Sequence, residues 1–103
     1  MATIFEIAST NYEDDIFKIK KALSHLQTTC EITDGYIISK PVSRFGWTFT
    51  QLLLKPAFSF NIEKKFADMI KRYKGKQEEK YTDFMQDFFL ARDCKIKLKL
   101  LEY

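Results

Sequence analysis

Near the end of the chain, apolar residues and lysines alternate without interruption over seven positions. Alternation with a period of two is typical of a β-strand that has one face against a core and the other in water. The apolar set is Cys94, Ile96, Leu98 and Leu100, and the basic set is Lys95, Lys97 and Lys99. A sheet that contains such a strand is covered on one face only, so the pattern predicts an antiparallel sheet with helices on a single side.

An opening strand and a helix are predicted at the start of the chain. Residues 3–8 place Phe5 and Ile7 on one face, which predicts a strand with both side chains in the core. A capping box at residues 10–13, formed by Thr10 and Glu13, then predicts the start of a helix. The apolar stripe of this helix, at spacings of three and four, consists of Tyr12, Ile16, Ile19, Leu23 and Leu26.

Residues 30–54 have the features of antiparallel strands. Asp34-Gly35 is a tight-turn signal, the run at 36–38 is β-prone, and Pro41 interrupts that run. An aromatic row with strand periodicity follows and continues into the apolar run at 52–54. The aromatic row consists of Phe45, Trp47 and Phe49. We expect two or three strands here, with at least part of the aromatic row in the core.

Two further helices are predicted between residue 59 and residue 91. Asn61 or Ser59 is placed to cap the first of them, and Gly75 is placed to end it in the left-handed conformation. The apolar stripe of this helix consists of Ile62, Phe66, Met69 and Tyr73. The second helix, from Gln77 to Ala91, has a wide apolar face of Tyr81, Phe84, Met85, Phe88 and Phe89.

The order of these elements predicts one α+β domain over residues 1–103. Strand, helix, strands, two helices and strand fit a ferredoxin-like β-α-β-β-α(α)-β sandwich, with an antiparallel sheet and helices on one face. A right-handed crossover would place the first and last strands side by side near the middle of the sheet. Ten phenylalanines supply enough apolar surface for such a core without disulfides.

Cysteine usage and hydropathy point to a cytoplasmic protein, in the host cytoplasm if the source is a virus. Cys30 and Cys94 are interpreted as buried free thiols, with a single disulfide between them as the alternative. The chain opens on no signal-peptide pattern and has no apolar run long enough for a bilayer, so no membrane partner is expected. Two cysteines and one histidine are too few for a four-ligand zinc site, so no metal or cofactor is expected.

Residues with catalytic potential are scattered, so we expect no enzymatic activity and name no catalytic residue. His25 is the only histidine and lies on the polar side of the first helix. Cys30 follows it, but a thiol buried in apolar surroundings is a poor nucleophile. The carboxylates at 13–15 occupy adjacent helix positions and therefore point in different directions, which disfavours a shared metal ion.

Three segments are candidate binding residues. The first is the lysine row Lys95, Lys97 and Lys99, and the second is the basic stretch with Lys71, Arg72 and Lys74. The third is Arg44-Phe45-Gly46-Trp47-Thr48-Phe49, which contributes Arg44 and Trp47. These six residues resemble the aromatic strand signature of the RNA-recognition motif, without the glycine that normally follows the basic residue. That resemblance implies base stacking on the sheet.

Charge is unevenly distributed along the chain. Residues 1–39 have three lysines against six carboxylates, a net charge of −3, which leaves +6 for residues 40–103. Two surfaces of opposite sign favour a protein-binding role. We therefore expect a small inhibitor or adaptor that occludes a larger protein, for example a phage or mobile-element protein that blocks a host nuclease or defence complex. The alternative is a nucleic-acid-binding protein that uses the lysine and aromatic residues, and a homodimer is compatible with either.

Overall fold

Five strands and four helices form the fold, and the computed structural model describes them over residues 2–103. The strands are β1 (Thr3–Ser9), β2 (Tyr36–Ile38), β3 (Val42–Arg44), β4 (Trp47–Leu54) and β5 (Lys97–Glu102). The helices are α1 (Tyr12–Thr29), α2 (Pro56–Lys65), α3 (Ala67–Ile70) and α4 (Gln77–Leu90). Every pairing among these strands is antiparallel, which confirms the predicted α+β class and antiparallel sheet.

The strand order of the sheet is β2-β4-β1-β5. β3 pairs with the same edge of β4 as β2 does, so β2 and β3 act as one edge strand that is interrupted around Pro41. β1 and β5 are neighbours, as predicted. The prediction that both lie near the middle is wrong for β5, because β1 and β4 occupy the interior and β5 is left at an edge.

One face of the sheet packs against the helices and forms the core. Strand alternation places Phe5 and Ile7 of β1 on this face, and the register pairs Phe5 with Leu52 of β4 and Leu100 of β5. Phe5, Ile7, Leu52 and Leu54 have no exposed surface. The apolar face of α4 packs over this side of the sheet and completes the core. Its buried residues are Tyr81, Phe84, Met85, Phe88 and Phe89. The predicted apolar faces of β1 and α4 are therefore confirmed.

Helix α1 does not begin with the predicted capping box. β1 continues to Ser9, so the connection is short and the helix starts at Tyr12 without a side-chain cap at Asn11. Ser9 takes over this role: its Oγ accepts the Asn11 N–H at 3.1 Å and donates to the Asp15 carboxylate at 2.6 Å. A charge-assisted hydrogen bond of this kind fixes the strand-to-helix turn.

Helix α2 begins at Pro56, earlier than the predicted caps Asn61 and Ser59. Proline has the φ angle of a first helical residue and lacks only an N–H that would be unpaired there. Ser59 is instead buried inside the helix, where its hydroxyl lies 2.8 Å from Thr3 Oγ1 and 3.0 Å from Tyr81 Oη.

The helical segment ends before the predicted glycine stop. It breaks at Phe66 and ends with the short helix α3, while Gly75 has its positive φ of 100° in the following loop. The Phe66 ring packs 5.2 Å from that of Phe84, centroid to centroid, and so ties the break to α4. Within residues 2–103, no helix is both long enough and apolar enough to cross a bilayer.

Candidate binding surface on the open face of the sheet

The face of the sheet that points away from the helices, here called the open face, is lined by alternate residues of all five strands. Because Phe5 and Ile7 face the core, their neighbours Ile4, Glu6 and Ala8 face outward. The register then assigns the outward residues of the other strands. They are Ile37, Val42, Arg44, Trp47, Phe49, Gln51, Leu53, Lys97, Lys99 and Glu102.

Strand register arranges the open face in rows of different chemistry. At one end Ile37, Leu53 and Ile4 form an apolar row across β2, β4 and β1. In the middle Gln51, Glu6 and Lys99 form a polar row. At the other end lie Val42, Phe49, Ala8 and Lys97, followed by the pair Arg44 and Trp47. The open face therefore combines apolar contact area with basic groups at one end.

Several apolar side chains of the open face are exposed because no helix covers them. Ile37 is 54% exposed and Val42 is 51% exposed, whereas Ile4, Phe49 and Leu53 are partly exposed. β-branched and aromatic residues pair well across strands, which accounts for their partial burial against each other. Their outward surfaces remain available to a partner.

Phe45 and Gly46 are the turn of the β3–β4 hairpin. Both residues have positive φ, 51° and 79°, as the type I′ turn between two antiparallel strands requires. The prediction that part of the aromatic row lies in the core is wrong. Phe45 is fully exposed at the hairpin tip, and Trp47 and Phe49 lie on the open face because Leu52 and Leu54 occupy the inward positions of β4.

Trp47 links the aromatic residues to the predicted lysine row. The Nζ of Lys97 lies 5.6 Å from the Trp47 ring centroid, within the range of a cation–π interaction. Arg44 is the register partner of Trp47 on the other side. Three of the predicted binding residues, Arg44, Trp47 and Lys97, are thus brought together by the hairpin and the edge strand.

The lysines of β5 lie on the side of the strand opposite the core, as predicted, but β5 begins at Lys97, later than the alternating pattern that starts at Cys94. Lys97 and Lys99 lie on the open face, and Lys99 is the cross-strand partner of Glu6. Cys94 and Ile96 are buried on the other side. Lys95 is exposed in the segment that precedes β5 and is not part of the row on the sheet.

The second predicted basic segment lies apart from the open face. Lys71, Arg72 and Lys74 are exposed in the connection that follows α3, in the helical layer. Lys71 forms an ion pair with Asp68 at 3.2 Å, one turn earlier. Exposed pairs of this kind contribute little to stability. These residues do not extend the candidate surface.

The residues with catalytic potential are placed by packing. Cys30 and Cys94 are buried and free, as predicted. Burial raises the pKa of both thiols, and for Cys94 burial together with the nearby Asp15 carboxylate raises the pKa to about 11. Thiols with raised pKa values stay protonated near neutral pH and are poor nucleophiles. The His25 ring stacks on Phe88, with 6.3 Å between the ring centroids.

The three consecutive carboxylates of α1 diverge, as helical spacing predicts. Asp15 is buried against Ser9, while Glu13 and Asp14 are exposed. Over the described residues 2–103, no group of three or more His, Cys, Asp or Glu side chains is arranged to hold a metal ion.

Comparison with protein-family models, with curated proteins and with solved structures finds no match to this chain. The open face is therefore assigned from its own geometry. Its apolar members Ile4, Ile37, Val42 and Leu53 were missed at the level of sequence. The signal that could have found Ile4 is Glu6: a charged residue between two core residues shows which positions of β1 point outward.

Proposed function

We propose that this protein is a non-enzymatic protein-interaction module whose partner docks on the open face of the sheet. The observation that carries the proposal is the set of apolar side chains left uncovered there, with Ile37 and Val42 about half exposed. These apolar side chains lie at both ends of the face, with the polar row between them, and exposed apolar groups of this kind favour association because their burial is favourable. The buried thiols and the stacked His25 support a role in binding rather than in catalysis.

Charge on the open face indicates the chemistry of the partner. The face carries three cations, Arg44, Lys97 and Lys99, and two carboxylates, Glu6 and Glu102. Arg44 and Lys97 lie at the hairpin end, whereas Glu6 lies in the middle of the face and Glu102 at the far end, so the hairpin end is the basic part of the face. A partner surface that is apolar and bordered by carboxylates is complementary to this end. We favour an inhibitor or adaptor that acts by occluding such a surface on a larger protein, as a phage or mobile-element protein would on a host nuclease or defence complex.

The topology supports a ferredoxin-like arrangement as part of this proposal. An order of β2-β4-β1-β5, with every pair antiparallel, is what a split β-α-β unit followed by a second helical crossover produces. β3 would then be an addition to the edge strand, and α2, α3 and α4 together would form the second crossover. Such a fold leaves one sheet face without helices and so presents the open face to a partner.

A capture experiment with matched variants tests the proposal. The wild-type protein is immobilised beside Ile37→Glu on the open face and Phe60→Glu on α2, where Phe60 is also an exposed apolar residue. Proteins retained from the source cell extract are identified and quantified by mass spectrometry. A protein kept by the wild type and by Phe60→Glu, and lost with Ile37→Glu, supports the proposal. Retention that is equal for all three contradicts it.

Binding of single-stranded nucleic acid is a second candidate function. It is favoured by one observation: Trp47 and Phe49 lie on the same face as Arg44 and Lys97, and bases stack on aromatic rings beside cations. Against it, the centre of the face on β1 holds Glu6, which repels phosphates.

Fluorescence anisotropy of labelled single-stranded RNA and duplex DNA separates the two candidates. Phosphate binding weakens steeply between low and near-physiological salt, and it should be lost when Lys95, Lys97 and Lys99 are replaced together by alanine. Salt-sensitive binding of this kind would replace the protein-binding proposal. No binding at low salt would eliminate the nucleic-acid candidate.

A further inference from the structure

The tip of the β3–β4 hairpin has features that folding alone does not explain. Phe45 is 100% exposed, so its ring gains nothing from the core. A side chain of this size contributes a large apolar area wherever it becomes buried. The site of Gly46 is equally free, since a Cβ placed there would meet no atom within 4 Å. The turn therefore projects from the body of the protein.

The backbone at Phe45 is also unfavourable for this residue type. A φ of 51° lies in the left-handed region, where asparagine, aspartate and glycine are preferred and a bulky residue is uncommon. Phenylalanine at this position is thus disfavoured both by solvation and by conformation. Residues held in such conformations cluster at functional sites, where a gain in binding offsets the strain.

The charged groups of the β3–β4 hairpin are of one sign. Residues 42–54 contain Arg44 and no aspartate or glutamate. Arg44 directly precedes the tip, and Lys97 lies against Trp47 on the neighbouring side. A surface that receives this hairpin must therefore supply an apolar pocket for a benzyl group and carboxylates around it.

We infer that the hairpin tip Arg44-Phe45-Gly46 is the anchor of the interface, and that Phe45 inserts into an apolar pocket rimmed by carboxylates on the partner protein. This inference rests on the proposed function, since it names the part of the surface that contributes most to affinity. Aromatic residues that fill a partner's pocket are the usual dominant contacts, and their truncation weakens binding about 30-fold or more. The pairing of Arg44 with Trp47 fixes the backbone of the turn before binding, which lowers the backbone entropy lost on association.

The variant Phe45→Asn tests the inference first without a partner. Asparagine fits the left-handed position and removes the exposed ring, so the melting temperature should stay the same or rise by about 4 °C. Phe17→Asn, which removes another exposed phenylalanine from α1, is the matched control. A clear fall in the melting temperature of Phe45→Asn would show that Phe45 stabilises the fold, and would overturn the inference.

The second test compares Phe45→Asn, Phe17→Asn and Ile37→Glu against the protein captured by the wild type. Loss of binding with Phe45→Asn and Ile37→Glu, and not with Phe17→Asn, supports the anchor. Loss with Ile37→Glu alone overturns the anchor and leaves the proposed function in place. Binding that survives all three changes, or capture of nothing by the wild type, overturns both. Loss of single-stranded RNA binding in Phe45→Asn, without a protein partner, overturns the protein pocket in favour of base stacking.

Discussion

Two isoleucines on opposite faces of the sheet allow a quantitative test of the open face. Ile7 of β1 has no exposed surface, and Ile37 of β2 is 54% exposed. Replacement by alanine removes three carbon atoms in each case. Removal of three carbons corresponds to about 2.4 kcal/mol of transfer free energy when the side chain is fully buried.

The two variants should differ strongly in the free energy of unfolding. For Ile7→Ala a cavity in the core adds to the transfer loss, for a total of about 4 kcal/mol. For Ile37→Ala just under half of the side chain is buried and water fills the vacated space, so the loss is about 1 kcal/mol. Urea unfolding followed by circular dichroism measures both values. Equal losses would refute the assignment, because they would show that the open face is covered in the free protein.

Two further predictions concern the core. Gly35→Ala should destabilise the protein by about 2 kcal/mol, because a Cβ there would lie 2.7 Å from ring atoms of Phe58, and Phe58→Leu should recover part of this loss. Urea unfolding of the single and double variants checks it, and additive effects would contradict the close approach. Cys94 has no exposed surface, and burial raises its pKa to about 11, so a thiol reagent near neutral pH should modify it only in urea. Rapid modification of the folded protein, read by mass spectrometry, would contradict its burial.

Periodicity predicts the strands β1 and β5 and the helices α1 and α4 because most of the large apolar residues of each element lie on one side. The side of each strand that faces the core is set by two apolar residues at alternate positions. They are Phe5 and Ile7 in β1, and Ile96 and Leu98 at the start of β5. Binary patterns of this kind fix which side of an element meets the core. The alternation in β5 also predicted correctly that Lys97 and Lys99 lie on the side of the sheet away from the core.

The facing of β4 could not be predicted because its apolar residues fall on both sides. Trp47 and Phe49 have one parity, and Leu52 and Leu54 have the other. A shift of one residue in register exchanges the two sets. Pairing with β1, which sets Phe5 against Leu52, decides between them, and that pairing is a long-range contact. The turn at Phe45-Gly46 was hidden for a related reason, since phenylalanine is a rare residue in a type I′ turn.

The assembly of the candidate surface depends on strand order, which local sequence does not contain. Lys97 comes near Trp47 because β5 and β4 both pair with β1, where Ala8 is the register partner of Lys97 and of Phe49, two residues from Trp47. The basic residues Lys71, Arg72 and Lys74 have a similar local pattern, yet they end up in the helical layer. Only the tertiary fold separates the two sets.

Docking on the open face can be observed by a ¹⁹F NMR titration of protein labelled with 5-fluorotryptophan. Trp47 is the only tryptophan of the chain and lies on the open face, so the spectrum reports on that face alone. On addition of the purified partner, which carries no fluorine, the account predicts a shift or broadening of the signal and its protection from a soluble quencher. An unchanged signal in a complex whose formation is verified by its mass would contradict docking on the open face.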